Sequence, residues 1–252
     1  MADQSTSISR KLRSLFRSRQ QSKPIVAEEG TPGDVLDFLL QRDGVDGVQS
    51  YAQLKQDVVA LLISGFKRGG YFVEFGATNG ISLSNTYLLE KDYGWTGILA
   101  EPSVDWHDAL TEARACAIDV RCVWRTSGEM IDFDVVEAGV LSTISDFRDG
   151  DQHARTRRKY RRMQVETVSL DDLLEHHNAP AEIDYLSVDT EGSEFEILNA
   201  VDFSKHRFKF ITVEHNFTER RQDIHDLLCG NGYHRILERV SKFDDWYVLD
   251  GV

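Results

Sequence analysis

The chain has 252 residues and a formal net charge of −13, with 41% hydrophobic and 28% charged residues. This length and composition suffice for one sizeable core and exclude a disulfide-stapled mini-protein or a globally disordered chain. The negative charge disfavours binding to nucleic acid. No apolar run approaches the roughly 18 residues of a membrane-spanning helix, no secretory signal is present, and three cysteines fit no disulfide or zinc pattern, so we expect a cytoplasmic protein.

Basic residues concentrate in two segments, 1–23 and 155–162. Residues 1–30 are rich in Ser, Arg and Gln, which predicts a mobile basic arm. The arm is either simply solvated or held weakly at a membrane surface through a short apolar stripe. Helical patterns at 33–42 and 50–66 predict a helical extension over residues 31–69, before the main fold.

From residue 70 onward, short apolar runs alternate with amphipathic helical patterns, as in a parallel sheet with crossover helices. An α/β, Rossmann-like domain is therefore predicted over 70–252, closing with a hairpin of two strands. The predicted strands are Tyr71–Phe75, Gly97–Glu101, Val120–Trp124, Asp184–Asp189, Phe208–Glu214, Tyr233–Glu238 and Trp246–Asp250. The predicted helices are 83–92, 103–114, 170–177, 193–200 and 219–230.

The first predicted strand runs into a glycine-containing loop, Glu74–Gly80, and Asn85 lies in the opening turn of the helix that follows. Glycines just after a first strand let the backbone turn tightly and approach a ligand. Thr78 stands where a dinucleotide fingerprint requires glycine, and no Gly-Lys-Ser/Thr phosphate loop is present. An acid before the first glycine instead suits a ligand with a cationic amino acid portion.

Acidic side chains end the neighbouring strands. Glu101 closes the second strand, where Rossmann-like sheets place the acid that accepts hydrogen bonds from ribose hydroxyls. Asp189 and Glu191 follow the fourth strand, and His215 follows the fifth. Histidine titrates near neutrality, so His215 is the preferred general base, with Asp189 and Glu191 as alternatives. The same groups also suit a divalent cation, although metal dependence is not predicted.

These motifs resemble the FkbM family of S-adenosylmethionine-dependent methyltransferases. The resemblance is carried by the stretches Phe72–Gly80, Ser84–Glu90, Trp95–Pro102, Leu141–Ile144, Thr167–Leu174 and Ile183–Leu198. It implies a class I methyltransferase sheet of seven mostly parallel strands, the last one antiparallel, with helices on both faces. It also implies O-methylation of a hydroxyl on a sugar, glycan or related natural product.

Carried over by position, the resemblance implies contacts with three parts of the cofactor. The glycine loop would surround the methionine portion, Glu101 would hold the ribose, and Cys122 and Val123 would lie against adenine. Many relatives have Asn directly after the Gly-Ala pair, whereas this chain has Thr78 there. The predicted cofactor-binding residues are Glu74, Gly76, Ala77, Thr78, Asn79, Gly80, Asn85, Glu101, Pro102, Cys122, Val123 and Asp189.

The basic run 155–162 falls in a long insertion between the third and fourth predicted strands. It is either a lid whose arginines favour an anionic acceptor or a solvated loop. Two other functions remain open from the residues: a nicotinamide-dependent oxidoreductase on the same sheet, and a non-catalytic methyltransferase-like adaptor. Thr78 disfavours the first, and the combination of Glu101 with Asp189 and Glu191 disfavours the second.

Overall fold

The computed structural model describes residues 48–136, 142–147 and 160–252. The predicted arm, the predicted helix 33–42 and part of the basic run lie outside these residues. The helices are α1 (Gln56–Ile63), α2 (Tyr87–Tyr93), α3 (Val104–Ala113), α4 (Leu170–His176), α5 (Glu194–Asn199) and α6 (Arg220–Gly230). The strands are β1 (Tyr71–Phe75), β2 (Thr96–Ala100), β3 (Ala117–Asp119), β4 (Cys122–Val123), β5 (Met130–Val136), β6 (Thr143–Ile144), β7 (Tyr160–Val168), β8 (Glu182–Val188), β9 (Arg207–Glu214), β10 (Tyr233–Ile236) and β11 (Asp244–Leu249).

The main sheet has seven strands in the order β10-β11-β9-β8-β1-β2-β3. Strands β3, β2, β1, β8 and β9 are parallel, and β11 is antiparallel to both of its neighbours, β9 and β10. This topology confirms the predicted Rossmann-like sheet with an antiparallel last strand. The carboxyl ends of β1, β2, β8 and β9 meet at one edge, which is where ligands bind in open sheets.

Side chains alternate across the central strands and form two apolar layers. Phe72, Tyr185 and Phe210 belong to the layer with α1, α2 and Leu110 of α3. Val73, Leu186 and other side chains of the opposite phase belong to the layer with α4, α5 and α6. Because β1 and β8 are covered on both faces, apolar residues on both faces dominate their centres, and this made them predictable. None of the described helices is long and apolar enough to cross a membrane.

The third strand differs from the prediction, which placed it at Val120–Trp124. The structure pairs Ala117–Asp119 with β2 in the main sheet and assigns Cys122–Val123 to a second sheet. The chain bends between them because the Asp119 carboxylate accepts hydrogen bonds from the backbone N–H and side chain of Arg121. Val120, at the bend, is 53% exposed.

The second sheet, in the order β4-β7-β5-β6, was not predicted. Its longest strands, β5 and β7, pair antiparallel. Two aspartates interrupt the apolar residues of β5, and β7 carries several exposed polar residues, so no continuous apolar run marks either strand. Thr143 of β6 donates a hydrogen bond to the Glu191 carbonyl at 2.9 Å, which ties this sheet to the loop after β8. The insertion therefore folds against the ligand-binding edge of the main sheet.

Helix α2 begins at Tyr87, four residues after its predicted start at residue 83. Residues 83–86 form a loop because their polar groups bind the Glu74 carboxylate instead of opening a helix. Likewise, α1 covers only Gln56–Ile63 of the predicted 50–66. Its carboxyl end is closed by the Phe66 N–H, which bonds the Leu61 carbonyl at 2.7 Å.

Candidate cofactor and acceptor site

Two adjoining cavities open at the carboxyl ends of β1, β2, β8 and β9. Cavity A, of about 570 Å³ with its open mouth, lies between β2 and the second sheet. Cavity B, of about 1090 Å³ with its open mouth, lies between the loop after β1 and the end of β9. Both walls include Phe75, Gly76, Thr78, Asp189 and Glu191, so ligands in the two cavities would meet beside these residues.

Gly76 sits where the two cavities join, and no other residue fits there. Its φ is +71°, in the left-handed region that favours glycine. A Cβ on Gly76 would lie 2.4 Å from the Asp189 carbonyl oxygen. The glycine therefore lets the loop after β1 pass close against the loop after β8.

The remainder of the glycine loop divides between ligand-facing and structural positions. Ala77 and Thr78 line cavity B, whereas Asn79 and Gly80 line neither cavity. The Asn79 side chain instead accepts hydrogen bonds from the backbone N–H groups of Ile81 and Ser82. Asn79 and Gly80 thus shape the turn, and the structure does not place them beside the predicted cofactor.

Backbone strain concentrates around cavity B. Four non-glycine residues of its wall, Thr78, Leu83, Glu191 and Asn216, have φ angles between +43° and +61°. Such conformations cost roughly 1–3 kcal/mol each and persist where the surrounding structure enforces them, often at functional sites. Their grouping supports cavity B as a functional site.

Glu101 is fixed in the wall of cavity A. Its side chain is buried, and its two oxygens accept hydrogen bonds from the backbone N–H groups of Thr78 and Ser103, each at 2.8 Å. Burial raises the pKa of this carboxyl, and the two backbone donors oppose the increase. Each carboxylate oxygen can accept a further hydrogen bond, so Glu101 can bind a pair of ribose hydroxyls.

The rest of cavity A is largely apolar. Cys122 and Val123 of β4, Phe133 of β5 and Ile144 of β6 face it, together with Pro102. These side chains suit a flat aromatic base lying beside the sugar that Glu101 would hold. The second sheet therefore supplies a large part of a nucleoside-shaped cavity.

Glu74 is buried in the wall of cavity B, but its oxygens bind the protein itself. They accept hydrogen bonds from the Asn85 backbone N–H at 2.7 Å and from the Ser84 and Thr86 hydroxyls. The guanidinium of Arg114 lies 3.9 Å away. Burial raises the pKa of Glu74, and Arg114 is the strongest influence in the opposite direction.

Arg114 was not predicted, yet its side chain is fully buried and crosslinks this region. It donates hydrogen bonds to Glu90 at 2.7 Å, to the Gly80 carbonyl at 3.1 Å and to Thr86 at 2.9 Å. The arginine therefore holds together the glycine loop, the segment before α2 and α2 itself.

Asp189 and Glu214 form a pair of carboxyl groups at the ends of β8 and β9. Removal from water, together with the nearby Asp244 and Glu194 carboxylates, raises the pKa of Asp189 to about 7. Burial and the proximity of Asp189 raise the pKa of Glu214 well above its ordinary range. A hydrogen bond from Glu214 opposes the increase in the pKa of Asp189.

Glu191 completes an acidic group with this pair. Carboxylate oxygens of Asp189, Glu191 and Glu214 all lie within 4.8 Å of one another. The Asn216 amide donates a hydrogen bond to Glu214 at 2.8 Å and reaches Glu191 at 3.5 Å. Glu214 was not among the predicted site residues. The parallel ladder brings it beside Asp189, because the preceding residues, Val188 and Val213, are paired.

His215, the preferred base in the sequence analysis, lines neither cavity. Its Nδ1 accepts a hydrogen bond from the Phe217 backbone N–H at 3.0 Å, and its Nε2 lies 3.9 Å from Asp245. Burial lowers the pKa of this imidazole. The Nδ1 acceptor is thus engaged within its own loop, and the structure places His215 outside the two cavities, whereas the carboxylates of Asp189 and Glu191 line them.

The strand order and the residues at the strand ends define a Rossmann-like methyltransferase. The sequence profile described as Methyltransferase FkbM domain matches residues 74–237, well over half of the chain. The chain belongs to the FkbM methyltransferase family. The family implies S-adenosylmethionine as the methyl donor, and the carboxylate, glycine and apolar walls of cavity A fit its adenosine portion.

Solved structures give weaker similarities. Methyltransferase FkbM from Methylobacillus flagellatus KT aligns at 11% identity with a TM-score of 0.45, over 86% of this chain and 60% of that chain. Precorrin-6y C5,15-methyltransferase from Geobacter metallireducens GS-15 aligns at 11% identity with a TM-score of 0.41, over 71% of each chain. The CurJ carbon methyltransferase aligns at 11% identity with a TM-score of 0.37, over 98% of this chain and 70% of that chain. A search of curated proteins gives no significant match.

Proposed function

We propose that this protein methylates a hydroxyl oxygen of a sugar, glycan or related natural product. The observation that carries the proposal is the Asp189–Glu214 pair, which lies at the end of the sheet where cavities A and B meet. An alcohol is a weak nucleophile at neutral pH, so a base must remove its proton during attack. A carboxyl group with a pKa of about 7 suits this task.

The residues divide the work between binding and proton transfer. S-adenosylmethionine, when bound, supplies a methyl group activated by its sulfonium sulfur. Glu101 would bind the ribose hydroxyls, Cys122 and Val123 would contact adenine, and Gly76 would let the backbone approach the methionine portion. Asp189 would then accept the proton of an acceptor hydroxyl held in cavity B, in line with the methyl group.

Cofactor binding is the first test. Calorimetry with S-adenosylmethionine and with NAD should show binding of the former only. Glu101→Gln should weaken S-adenosylmethionine binding about tenfold to a hundredfold, because it removes the charge from two hydrogen bonds to ribose. Glu182→Gln is the matched control, since the Glu182 side chain is 73% exposed at the opposite end of β8. Binding of NAD alone, or of neither compound, would overturn the proposal.

The second test identifies the atom that is methylated. The protein is incubated with S-adenosylmethionine carrying a ¹³C-labelled methyl group and a panel of sugars, glycans and hydroxylated natural products. The chemical shift of the labelled methyl distinguishes a methoxy group from a carbon-bound or nitrogen-bound methyl. A carbon-bound product would retain methyl transfer but refute O-methylation.

A further inference from the structure

The chain turns sharply after β9, at the wall of cavity B. The His215 carbonyl accepts a hydrogen bond from the Thr218 N–H at 2.8 Å, which closes a four-residue turn. Its two central residues, Asn216 and Phe217, have φ angles of +43° and +59°. Turns with positive φ at both central positions favour Gly, Asn and Asp there, so Asn216 suits its place and Phe217 does not.

The conformation of Phe217 is enforced by its neighbour in the turn. A bulky side chain in the left-handed region is a backbone outlier that persists only where other contacts hold it. The Phe217 side chain is 64% exposed, so burial does not hold it there. Two contacts with His215 do: Nδ1 accepts a hydrogen bond from the Phe217 N–H at 3.0 Å, and the two rings meet edge to face with centroids 5.2 Å apart.

The imidazole of His215 is well placed to accept this bond. Nδ1 is attached to Cγ, as Oδ1 is in asparagine, so its bond to the N–H two residues later has the geometry of an Asx turn. The side chain is buried, and the His215 N–H donates to the Phe243 carbonyl at 2.8 Å. An imidazole that accepts at Nδ1 carries its proton at Nε2 when neutral. That nitrogen lies 3.9 Å from Asp245, on the side away from the cavities.

The turn places the Asn216 side chain among the acidic residues of the site. Asn216 is buried and lines cavity B. Its Nδ2 donates to Glu214 at 2.8 Å and reaches Glu191 at 3.5 Å. Both carboxylates belong to the group that also contains Asp189. Because neighbouring carboxylates repel, an amide donor between them helps to fix their positions, and the backbone angles of Asn216 decide where that donor lies.

We infer that His215 is a positioning residue: its imidazole holds the turn that places the Asn216 amide between Glu214 and Glu191. Through this amide, His215 orients the carboxyl groups that surround Asp189. The inference rests on the proposed function, in which Asp189 is the base. It gives His215 a role in the reaction that needs an acceptor at Nδ1 and no transfer of a proton to the imidazole.

Hydrogen exchange of the Phe217 amide, measured by NMR, tests the turn directly. His215→Asn keeps an acceptor at the δ position, whereas His215→Phe keeps a ring without an acceptor. The amide should stay protected in the wild type and in His215→Asn, and should exchange at least about tenfold faster in His215→Phe. His176→Phe is the matched control, since His176 is exposed at the end of α4, and it should leave the exchange unchanged.

Turnover tests the link between the turn and the reaction, with the acceptor that the labelled-methyl screen identifies. His215→Phe should lower kcat about tenfold to a hundredfold, because the acidic group loses its alignment, while S-adenosylmethionine affinity stays unchanged. His215→Asn should retain kcat within about threefold. It should also keep the acidic limb of the kcat/KM profile, since Asp189 remains the base.

Phe217→Gly provides a second background, which also serves if His215→Phe alone does not fold. Glycine adopts positive φ freely, so the turn then depends less on the imidazole, and His215→Phe should lower kcat less than in the wild type.

Two results would overturn the inference. The first is a Phe217 amide that stays as protected in His215→Phe as in the wild type. The second is a loss of kcat in His215→Asn as large as in His215→Phe with the amide still protected, which would make the imidazole itself the base. The exchange measurements need neither cofactor nor acceptor. A failure of S-adenosylmethionine binding would therefore refute the proposed function without deciding the role of His215 in the turn.

Discussion

Two acidic positions at the same edge of the sheet have opposite surroundings. Glu74, near the end of β1, has three hydrogen-bond donors and the buried Arg114 around its carboxylate. Asp189 follows β8, the adjacent strand, and its nearest charged neighbours are other carboxylates. Burial raises both pKa values, but only Glu74 has a cation that opposes the increase.

This difference separates a carboxylate with a structural role from one that can react. A buried carboxylate with a full set of donors stabilises the backbone that it binds and has little capacity left for a ligand. A carboxylate crowded by like charges exchanges its proton near neutral pH, as a general base must. We therefore assign Glu74 to holding the loop before α2, and Asp189 to chemistry.

Removing Arg114, the cation beside Glu74, should have the largest effect on stability. Arg114→Met leaves Glu74 and Glu90 as buried acids without their partner, and breaking such a pair costs roughly 3–5 kcal/mol. Urea denaturation should show this loss in the free energy of unfolding. Arg161→Met is the control, because the exposed pair with Asp105 contributes at most about 1 kcal/mol. Equal losses in the two variants would refute the anchoring role of Arg114.

Removing the Asp189 carboxylate should have the opposite result, a loss of activity without a loss of stability. Asp189→Asn takes away the proposed base and should lower kcat by about 10²- to 10⁴-fold. Stability should not fall, because the substitution also removes a charge that Asp244 and Glu194 repel. Single-turnover kinetics and urea denaturation of the same variant check both halves. Unchanged turnover with reduced stability would make Asp189 a structural residue like Glu74.

The sequence predicted the acids at the strand ends because β1 and β8 are covered on both faces and read as apolar runs with clear ends. It did not predict Arg114, whose partners Glu74 and Glu90 are 40 and 24 residues earlier in the chain. Such a crosslink follows only from packing. The second sheet was missed because β5 and β7 are amphipathic and partly exposed.

The structure places His215 outside both cavities, and the sequence held a signal for this position. Neighbouring residues of a strand point to opposite faces, so His215 and Glu214 cannot both face Asp189. Phe210 and Thr212 share the phase of Glu214, and Phe210 packs in the layer with α1 and α2. Strand phase therefore favours Glu214 as the neighbour of Asp189 and turns His215 towards Asp245.

The pH dependence of turnover tests the same contrast between Glu74 and Asp189, with a smaller expected effect. If Asp189 is the base, kcat/KM should fall about tenfold per pH unit below about 7, because the protonated acid cannot accept a proton.

The free energy of unfolding should depend on pH with the opposite sign. The native state keeps the Asp189 proton up to about pH 7, whereas the unfolded chain releases it near its ordinary pKa of 3.8. The free energy of unfolding should therefore decline as pH rises between these values. Asp189→Asn should lose this component, and an unchanged slope would contradict the raised pKa.

The smallest expected effect is a displacement of that profile. Glu214→Leu removes the hydrogen bond from Glu214 that opposes the increase in the pKa of Asp189. The acidic limb of kcat/KM should therefore move to higher pH. Glu194→Gln is a useful comparison, since the Glu194 carboxylate raises the pKa of Asp189, but its oxygen binds backbone N–H groups just before α5. That variant should move the limb to lower pH with an added loss of stability. A limb that stays in place in Glu214→Leu would show that Asp189 titrates independently of Glu214.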